Sequence, residues 1–206
     1  NNVFVARSAT INGKDWEKWN GSSWGGDPAP AVDAELSATE TFFGAGEPSL
    51  VVKGDQIYLY YTYSDNEQKI YNVRLMTAAA SDPNWPASMT DQGEVIDRTA
   101  FKGLNIDGCS VRYIEDQDCF QAVHGVNIAD VNSYSVVWVS KDGVSGWEQK
   151  GVLSNNIRVR AKYARFICNE QSHITSTTPR LMIYQNGGQY SKTAWPTRMV
   201  PYSFVE

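Results

Sequence analysis

Val136-Val137-Trp138-Val139-Ser140-Lys141-Asp142-Gly143, followed four residues later by Trp147, is the stretch from which the rest of the chain can be read. Apolar β-formers run into a serine, a polar Asp-Gly turn and then a tryptophan. Two other segments keep this order. Val3-Phe4-Val5-Ala6-Arg7-Ser8 leads through Asn12-Gly13 to Trp16, and the run from Val73 leads through Ser81-Asp82-Pro83-Asn84 to Trp85. The tryptophans stand 69 and 62 residues apart, so an internal repeat organises the chain.

A second repeated piece lies between these segments. Glu47-Pro48-Ser49-Leu50-Val51-Val52-Lys53-Gly54-Asp55 runs into Ile57-Tyr58-Leu59-Tyr60-Tyr61-Thr62. Asp107-Gly108-Cys109-Ser110-Val111-Arg112-Tyr113-Ile114 runs through a polar turn into Phe120-Gln121-Ala122-Val123-His124. A third copy, Tyr163-Ala164-Arg165-Phe166-Ile167, is followed by a longer turn and Arg180-Leu181-Met182-Ile183-Tyr184. Val111-Arg112-Tyr113-Ile114 aligns with Ala164-Arg165-Phe166-Ile167. The runs are short, rich in Val, Ile, Tyr and Phe, and bounded by Gly, Asp and Asn, which is the pattern of antiparallel strands. No long 3.6-residue apolar period occurs. A four-stranded antiparallel unit recurring about every 60 residues predicts an all-β chain built of β-propeller blades. A β-sandwich is the alternative, but it leaves the repeated loop chemistry unexplained.

The expected units are an outer half-blade at 1–36, full blades at 46–97 and 107–153, and a last blade at 158–206. Propellers close with about 4 to 8 blades, whereas 206 residues hold about 3.3 units of this length. The expectation is an open arc, the C-terminal part of a longer five-bladed propeller, completed by a second chain, a cleaved partner or a symmetry mate. The start at Asn1-Asn2 rather than Met agrees with a processed or truncated sequence.

Composition removes several function classes. Eighteen basic against 23 acidic residues give a net charge of −5, which opposes a nucleic-acid surface, since that needs clustered excess Lys and Arg. No apolar run approaches the length of a membrane-spanning helix. Three cysteines without a paired C-x-x-C spacing and only two histidines leave no metal motif of the usual kind, and Cys109, Cys119 and Cys168 read as buried free thiols, with one disulfide and a leftover thiol as the alternative for a secreted protein. A phosphate-binding loop and a Ser-His-Asp order are absent.

The Glu47-Pro48-Ser49-Leu50 element, the Gly54-Asp55-Gln56-Ile57-Tyr58-Leu59-Tyr60-Tyr61 hairpin and the Ser140-Lys141-Asp142-Gly143…Trp147 element resemble the blades of the five-bladed β-propeller glycoside hydrolases of families 43, 32, 62 and 117. That resemblance implies innermost strands that project carboxylates into a central funnel. Family 43 enzymes resemble inverting machines with an Asp base, a second Asp that keeps the acid protonated, and a Glu acid. Inversion places acid and base roughly 6.5 to 9.5 Å apart so that water fits between them. Glu47 stands where the resemblance puts the acid, and the two Asp residues would belong to blades this chain lacks. Hydrolysis of a plant or algal poly- or oligosaccharide in a secreted, extracellular setting is the implied activity. A non-catalytic carbohydrate-binding propeller is the alternative. No organic cofactor is implied, and a calcium or sodium ion in the funnel is left open.

Other candidates for binding the sugar are Asp107, one blade after Glu47, and Arg160 and Lys162 at the corresponding place in the last blade. His124 ends an inner-blade strand, and Trp19 and Trp24 flank the Asn20–Ser23 loop as candidate sugar platforms. Asp82 and Asp142 read as turn-formers, because Asp bonds its own backbone in such turns. Trp16, Trp85 and Trp147 repeat with the blades and read as packing residues, while His173 lies in a polar turn and reads as solvated. An arc of this kind leaves strand edges unpaired. The isolated chain should therefore self-associate or bind a hydrophobic dye, and a compact, dye-negative monomer in sedimentation would show that the arc closes on itself.

Overall fold

Each run of alternating Val, Ile, Tyr and Phe forms an antiparallel strand, and no α-helix interrupts them among the described residues. The computed structural model describes residues 1–10, 13–34, 44–65, 70–96, 106–126, 134–153, 161–186 and 197–203, with the backbone alone at 64, 65, 70, 71, 106, 107, 161–163 and 186. Four sheets follow one another along the chain. The first pairs β1 (Ala6–Ser8) with β2 (Trp16–Lys18). The second places β3 (Ala45–Lys53), β4 (Gln56–Asp65), β5 (Ile70–Ala79) and β6 (Thr90–Ile96) side by side in chain order.

The third sheet repeats that order with β7 (Ile106–Ile114), β8 (Cys119–Val126), β9 (Tyr134–Ser140) and β10 (Glu148–Val152). The fourth comprises β11 (Ala161–Phe166), β13 (Leu181–Asn186) and β14 (Thr197–Pro201). One short strand departs from the repeat: β12 (His173–Ile174) leaves the last unit and runs parallel to β7, with His173 opposite Tyr113 and Ile174 opposite Ile114.

Three apolar layers separate the four sheets. Val3, Val32, Leu59 and Tyr61 fill the first, Tyr60, Leu75, Val111, Phe120 and Trp138 the second, and Ile114, Val123, Phe166, Met182 and Tyr184 the third. Successive innermost strands touch, β3 against β7 and β7 against β11. Sheets stacked face to face about an axis, with their first strands inward, make a partial β-propeller. Each large side chain enclosed in these layers contributes about 1.5–3 kcal/mol.

The turn chemistry is as the sequence suggests. Asp142 accepts the amides of Val144 (2.8 Å) and Ser145 (2.7 Å). Burial works to raise its carboxyl, but those amides and the Ser145 and Ser140 hydroxyls outweigh it and hold the group at about 2. Asp82 accepts the Asn84 amide and the Ser88 hydroxyl in the same manner. Trp85 and Trp147 pack against the layers, and Trp147 meets the Tyr60 ring edge-on at 6.0 Å. Trp16 does not. It is 57% exposed, because β2 pairs only with β1 and no further strand lies over it.

His173 also departs from expectation. It is 8% exposed, with Nδ1 2.8 Å from a Glu115 carboxylate oxygen and Nε2 2.5 Å from the Val52 carbonyl. The long turn that carries it folds back between two blades, so Val52 N–H donates to Gln171 O and Tyr113 N–H to Ser172 O.

Gly143 shows how tightly the second layer is packed. Its φ is +76°, and a methyl group there would stand 2.7 Å from the Tyr60 hydroxyl and 3.0 Å from the Phe120 ring. The same hydroxyl donates to the Gly143 carbonyl at 2.7 Å. Gly143→Ala combines left-handed backbone strain with overpacking. We expect it to lower stability by about 2–4 kcal/mol in urea denaturation.

Candidate functional site

The three innermost strands share one irregularity, and it builds the site. In β3 the register jumps from Gly46↔Thr62 to Ser49↔Tyr60, so Glu47 and Pro48 bulge opposite Tyr61. In β7 it jumps from Asp107↔Gly125 to Ser110↔Val123, so Gly108 and Cys109 bulge opposite His124. In β11 it jumps from Lys162↔Gln185 to Arg165↔Ile183, so Tyr163 and Ala164 bulge opposite Tyr184. Gly46, Asp107 and Lys162 are therefore equivalent, and so are Ser49, Ser110 and Arg165. The sequence alignment of Val111-Arg112 with Ala164-Arg165 is displaced by two residues, because apolar runs on one face look alike at a period of two.

A bulge needs a residue that accepts a left-handed backbone. Gly108 supplies it in β7 with φ +72°. The equivalent position in β3 is Glu47, at φ +51°. Such a conformation costs a side chain of this kind about 1–2 kcal/mol, and a strained polar residue of this sort is a signature of function. Glu47 Oε2 accepts the Gly108 amide at 2.5 Å and the Thr62 hydroxyl at 3.3 Å. No described residue binds Oε1. Alongside, the Ser49 hydroxyl accepts the Val111 amide (2.9 Å) and donates to the Val111 carbonyl (3.2 Å).

Glu47, Arg112 and Arg165 surround the buried Cys109. Burial pushes that thiol up to about 12, the guanidinium groups of Arg165 and Arg112 oppose this, and Glu47 reinforces it. Arg165 Nη1 donates to the Gly108 carbonyl at 2.5 Å, fixing the residue whose amide holds Glu47. The strand that carries the carboxylate and the two that carry the cations thus meet at Gly108. Sequence reasoning did not single out Arg112, Arg165, Ser49 or Thr62 as site residues. The only signal was the recurrence of arginine in the aligned inner strands.

The remaining candidates do not join this cluster as described. Asp107 and Lys162 occupy the position just before the bulge, with their side chains outside the described residues, and Arg160 lies outside them altogether. His124 is 0% exposed and stacks on Trp138 at 5.9 Å. Trp19 is 2% exposed and offers no open ring face. Trp24 donates its indole N–H to the Pro83 carbonyl (2.7 Å) and carries the Arg7 guanidinium 4.4 Å above its ring, so it clamps the first sheet to the second. Both tryptophans are packing residues because the Asn20 turn folds them inward. All three cysteines are free thiols, and no three His, Cys, Asp or Glu side chains converge on a metal-sized site among the described residues. No helix among them is long and apolar enough to cross a membrane.

No family model matches the chain, and neither does any curated protein sequence. Solved structures do share the fold. An α-L-arabinofuranosidase from Podospora anserina, in complex with cellotriose, superposes with a TM-score of 0.54 at 11% identity, covering 89% of this chain and 66% of that one. A thermostable family-43 glycoside hydrolase gives 0.53 at 14%, covering 91% and 57%. A β-1,2-mannobiose phosphorylase from Listeria innocua gives 0.55 at 12%, covering 89% and 47%. The chain spans between about half and two-thirds of the length of these structures. Identities this low speak for the fold, which is that of propeller carbohydrate-active enzymes.

His124 supplies a pH test of the site's surroundings. Burial pulls its imidazole down to about 4. The unfolded chain takes up this proton near its ordinary 6.5 and the folded chain only near 4, so this contribution to stability is intact above pH 6.5. It falls by about 3 kcal/mol as the pH drops to 4. Chemical denaturation across that window should show a correspondingly flatter pH dependence in His124→Gln.

Proposed function

We propose that this chain supplies the general acid of a propeller glycoside hydrolase that acts on a plant or algal poly- or oligosaccharide, outside the cell. The observation that carries the reading is Glu47: a carboxylate on an innermost strand, in a left-handed conformation that glycine fills in the next blade. Its Oε2 is anchored by Gly108 and Thr62, so Oε1 is the atom that bears the proton and gives it to the glycosidic oxygen. Holding one oxygen fixes the direction of the other, which is what proton transfer within hydrogen-bond reach demands. The base that activates water comes from carboxylates outside the described residues, contributed by the remainder of a propeller that this chain spans only in part.

A second reading has its own support. Two donors already hold Oε2 by hydrogen bonds. A Glu47 held in this way would accept a sugar hydroxyl at Oε1 without cleaving anything, as in a carbohydrate-binding module.

One variant separates the readings. In the complete protein, Glu47→Gln should cut kcat on unactivated glycosides by roughly 10²–10⁴-fold, the usual share of general acid catalysis. Glycosides with very good leaving groups should suffer much less, and oligosaccharide affinity should hold. Wild-type turnover by the variant sinks the catalytic role. A complete protein that turns nothing over, and whose sugar affinity drops in Glu47→Gln, identifies the binding module.

A further inference from the structure

The proposed hydrolysis leaves two cations at the centre of the arc unused. Elsewhere in the protein, Arg7, Arg74 and Arg180 each pair with a carboxylate, Glu17 at 2.9 Å, Asp91 at 2.8 Å and Asp116 at 3.0 Å. Arg112 and Arg165, on the innermost strands, pair with no carboxylate among the described residues. Burial lowers the affinity of Arg112 for its proton. The Cys168 thiol, hydrogen-bonded to the guanidinium, works the other way, and the Arg165 charge adds to the lowering. The two guanidinium groups both reach the Gly108–Val111 stretch of β7, Arg112 at the Val111 carbonyl and Arg165 at the Gly108 carbonyl. Glu47 spends Oε2 on Gly108 and Thr62 rather than on either arginine.

The hydrogen bonds show which edge of each fork is available. Arg112 Nη1 donates to the Ser49 hydroxyl at 3.0 Å and to the Val111 carbonyl. Arg165 Nη1 donates to the Gly108 carbonyl at 2.5 Å and the Ala164 carbonyl at 3.2 Å. In both, the backbone holds the Nη1 end. The Nε of Arg112 is buried without a partner, and so are the Ser110 hydroxyl and Gln121 Oε1. Gln121 stands directly opposite Arg112 in the ladder, and Ser110 precedes Arg112 by two residues, so all three lie on one face of the β7–β8 hairpin. Ser110 is 0% and Gln121 6% exposed, where unsatisfied polar groups are costly. The Nε–Nη2 edge of a guanidinium is a planar pair of donors that matches two oxygens of an oxyanion.

We propose that Arg112 and Arg165 form a receptor for an oxyanion carried by the sugar ligand, a uronate carboxylate or a sulfate ester. The identity of the ligand rests on the carbohydrate reading, while the receptor itself rests on the two guanidinium groups that have no carboxylate partner among the described residues. Ser110 adds a hydroxyl donor. An acidic polysaccharide chain would thus be gripped by its charge one blade away from Glu47, whereas a neutral sugar would leave both cations unpaired.

The test uses small probes that cannot react. The full chain, labelled with ¹⁵N, is titrated with sodium galacturonate, with galactose 6-sulfate, and with neutral galactose, at ionic strength matched with NaCl. The Nε–H resonances of Arg112 and Arg165 should shift saturably with one or both acidic sugars and at least tenfold more weakly with galactose. Saturation by galacturonate alone assigns a carboxylate, and by the sulfated sugar alone a sulfate. Arg165→Lys keeps the charge but loses the fork and should bind at least tenfold more weakly, whereas Arg7→Gln, at the surface, should leave affinity unchanged. No saturable shift in the wild-type chain overturns the receptor, which needs no variant to fold. So does equal affinity for galactose, or full affinity in Arg165→Lys. These outcomes are independent of Glu47: acidic sugars can bind as expected in a protein that hydrolyses nothing, and hydrolysis can proceed in a protein whose arginines ignore them.

Discussion

Sheets stacked face to face around an axis bring their backbones closest at their innermost strands. Everything placed at the centre of this protein depends on how β3, β7 and β11 meet there. Away from the axis the contacts between blades are mostly apolar, Tyr58 on Phe120 and Tyr60 on Trp147, with the Tyr60 hydroxyl on the Gly143 carbonyl as a directional one among them. At the axis the Ser49 hydroxyl spans to both polar groups of Val111, and the Gly108 peptides are held on one side by Glu47 and on the other by Arg165. These few directional bonds lock the blades.

The shared bulge is what permits that lock. One extra residue in each inner strand turns the backbone out of the ladder, so its amide and carbonyl point at the next blade instead of at the neighbouring strand. In β7 a glycine takes the left-handed conformation without strain. In β3 a glutamate takes it, and its carboxylate reaches the amide that the glycine of the next blade exposes. The same feature therefore gives mechanical coupling between blades and an acidic group at the axis. Because Oε2 carries the structural bonds, Oε1 can serve chemistry without loosening the arc.

The far ends of the inner strands are tied differently. The long turn of the last unit reaches back and lays β12 along β7, while its backbone takes the Val52 amide and His173 bridges Val52 and Glu115. A carbonyl and a carboxylate thus face the two ring nitrogens, one on each side. The sheet that would otherwise end at β7 gains a fifth strand, and an edge close to the axis is covered. Thus one end of the axis is polar and carries charged side chains, and the other is stitched by backbone.

Strand content, the blade repeat, the Asp-centred turns at Asp82 and Asp142 and the place of Glu47 at the head of an inner strand were all legible in the residues. Each depends on local chemistry: β-branched and aromatic runs pair as strands, Asp bonds its own backbone, and an acidic residue before Pro opens a new apolar run. Trp19, Trp24, His124 and His173 were not legible. An aromatic ring or an imidazole carries no mark of whether its loop folds inward, and here all four do. The two-residue offset between Arg112 and Arg165 and the bulges that cause it were likewise hidden, since a slip of two leaves the apolar pattern unchanged. The sequence by itself determined which segments become strands and turns, because that choice is made between near neighbours. Only the tertiary structure decided which polar groups meet at the axis, because Glu47, Gly108 and Arg165 are far apart along the chain and come together only when twisted sheets stack.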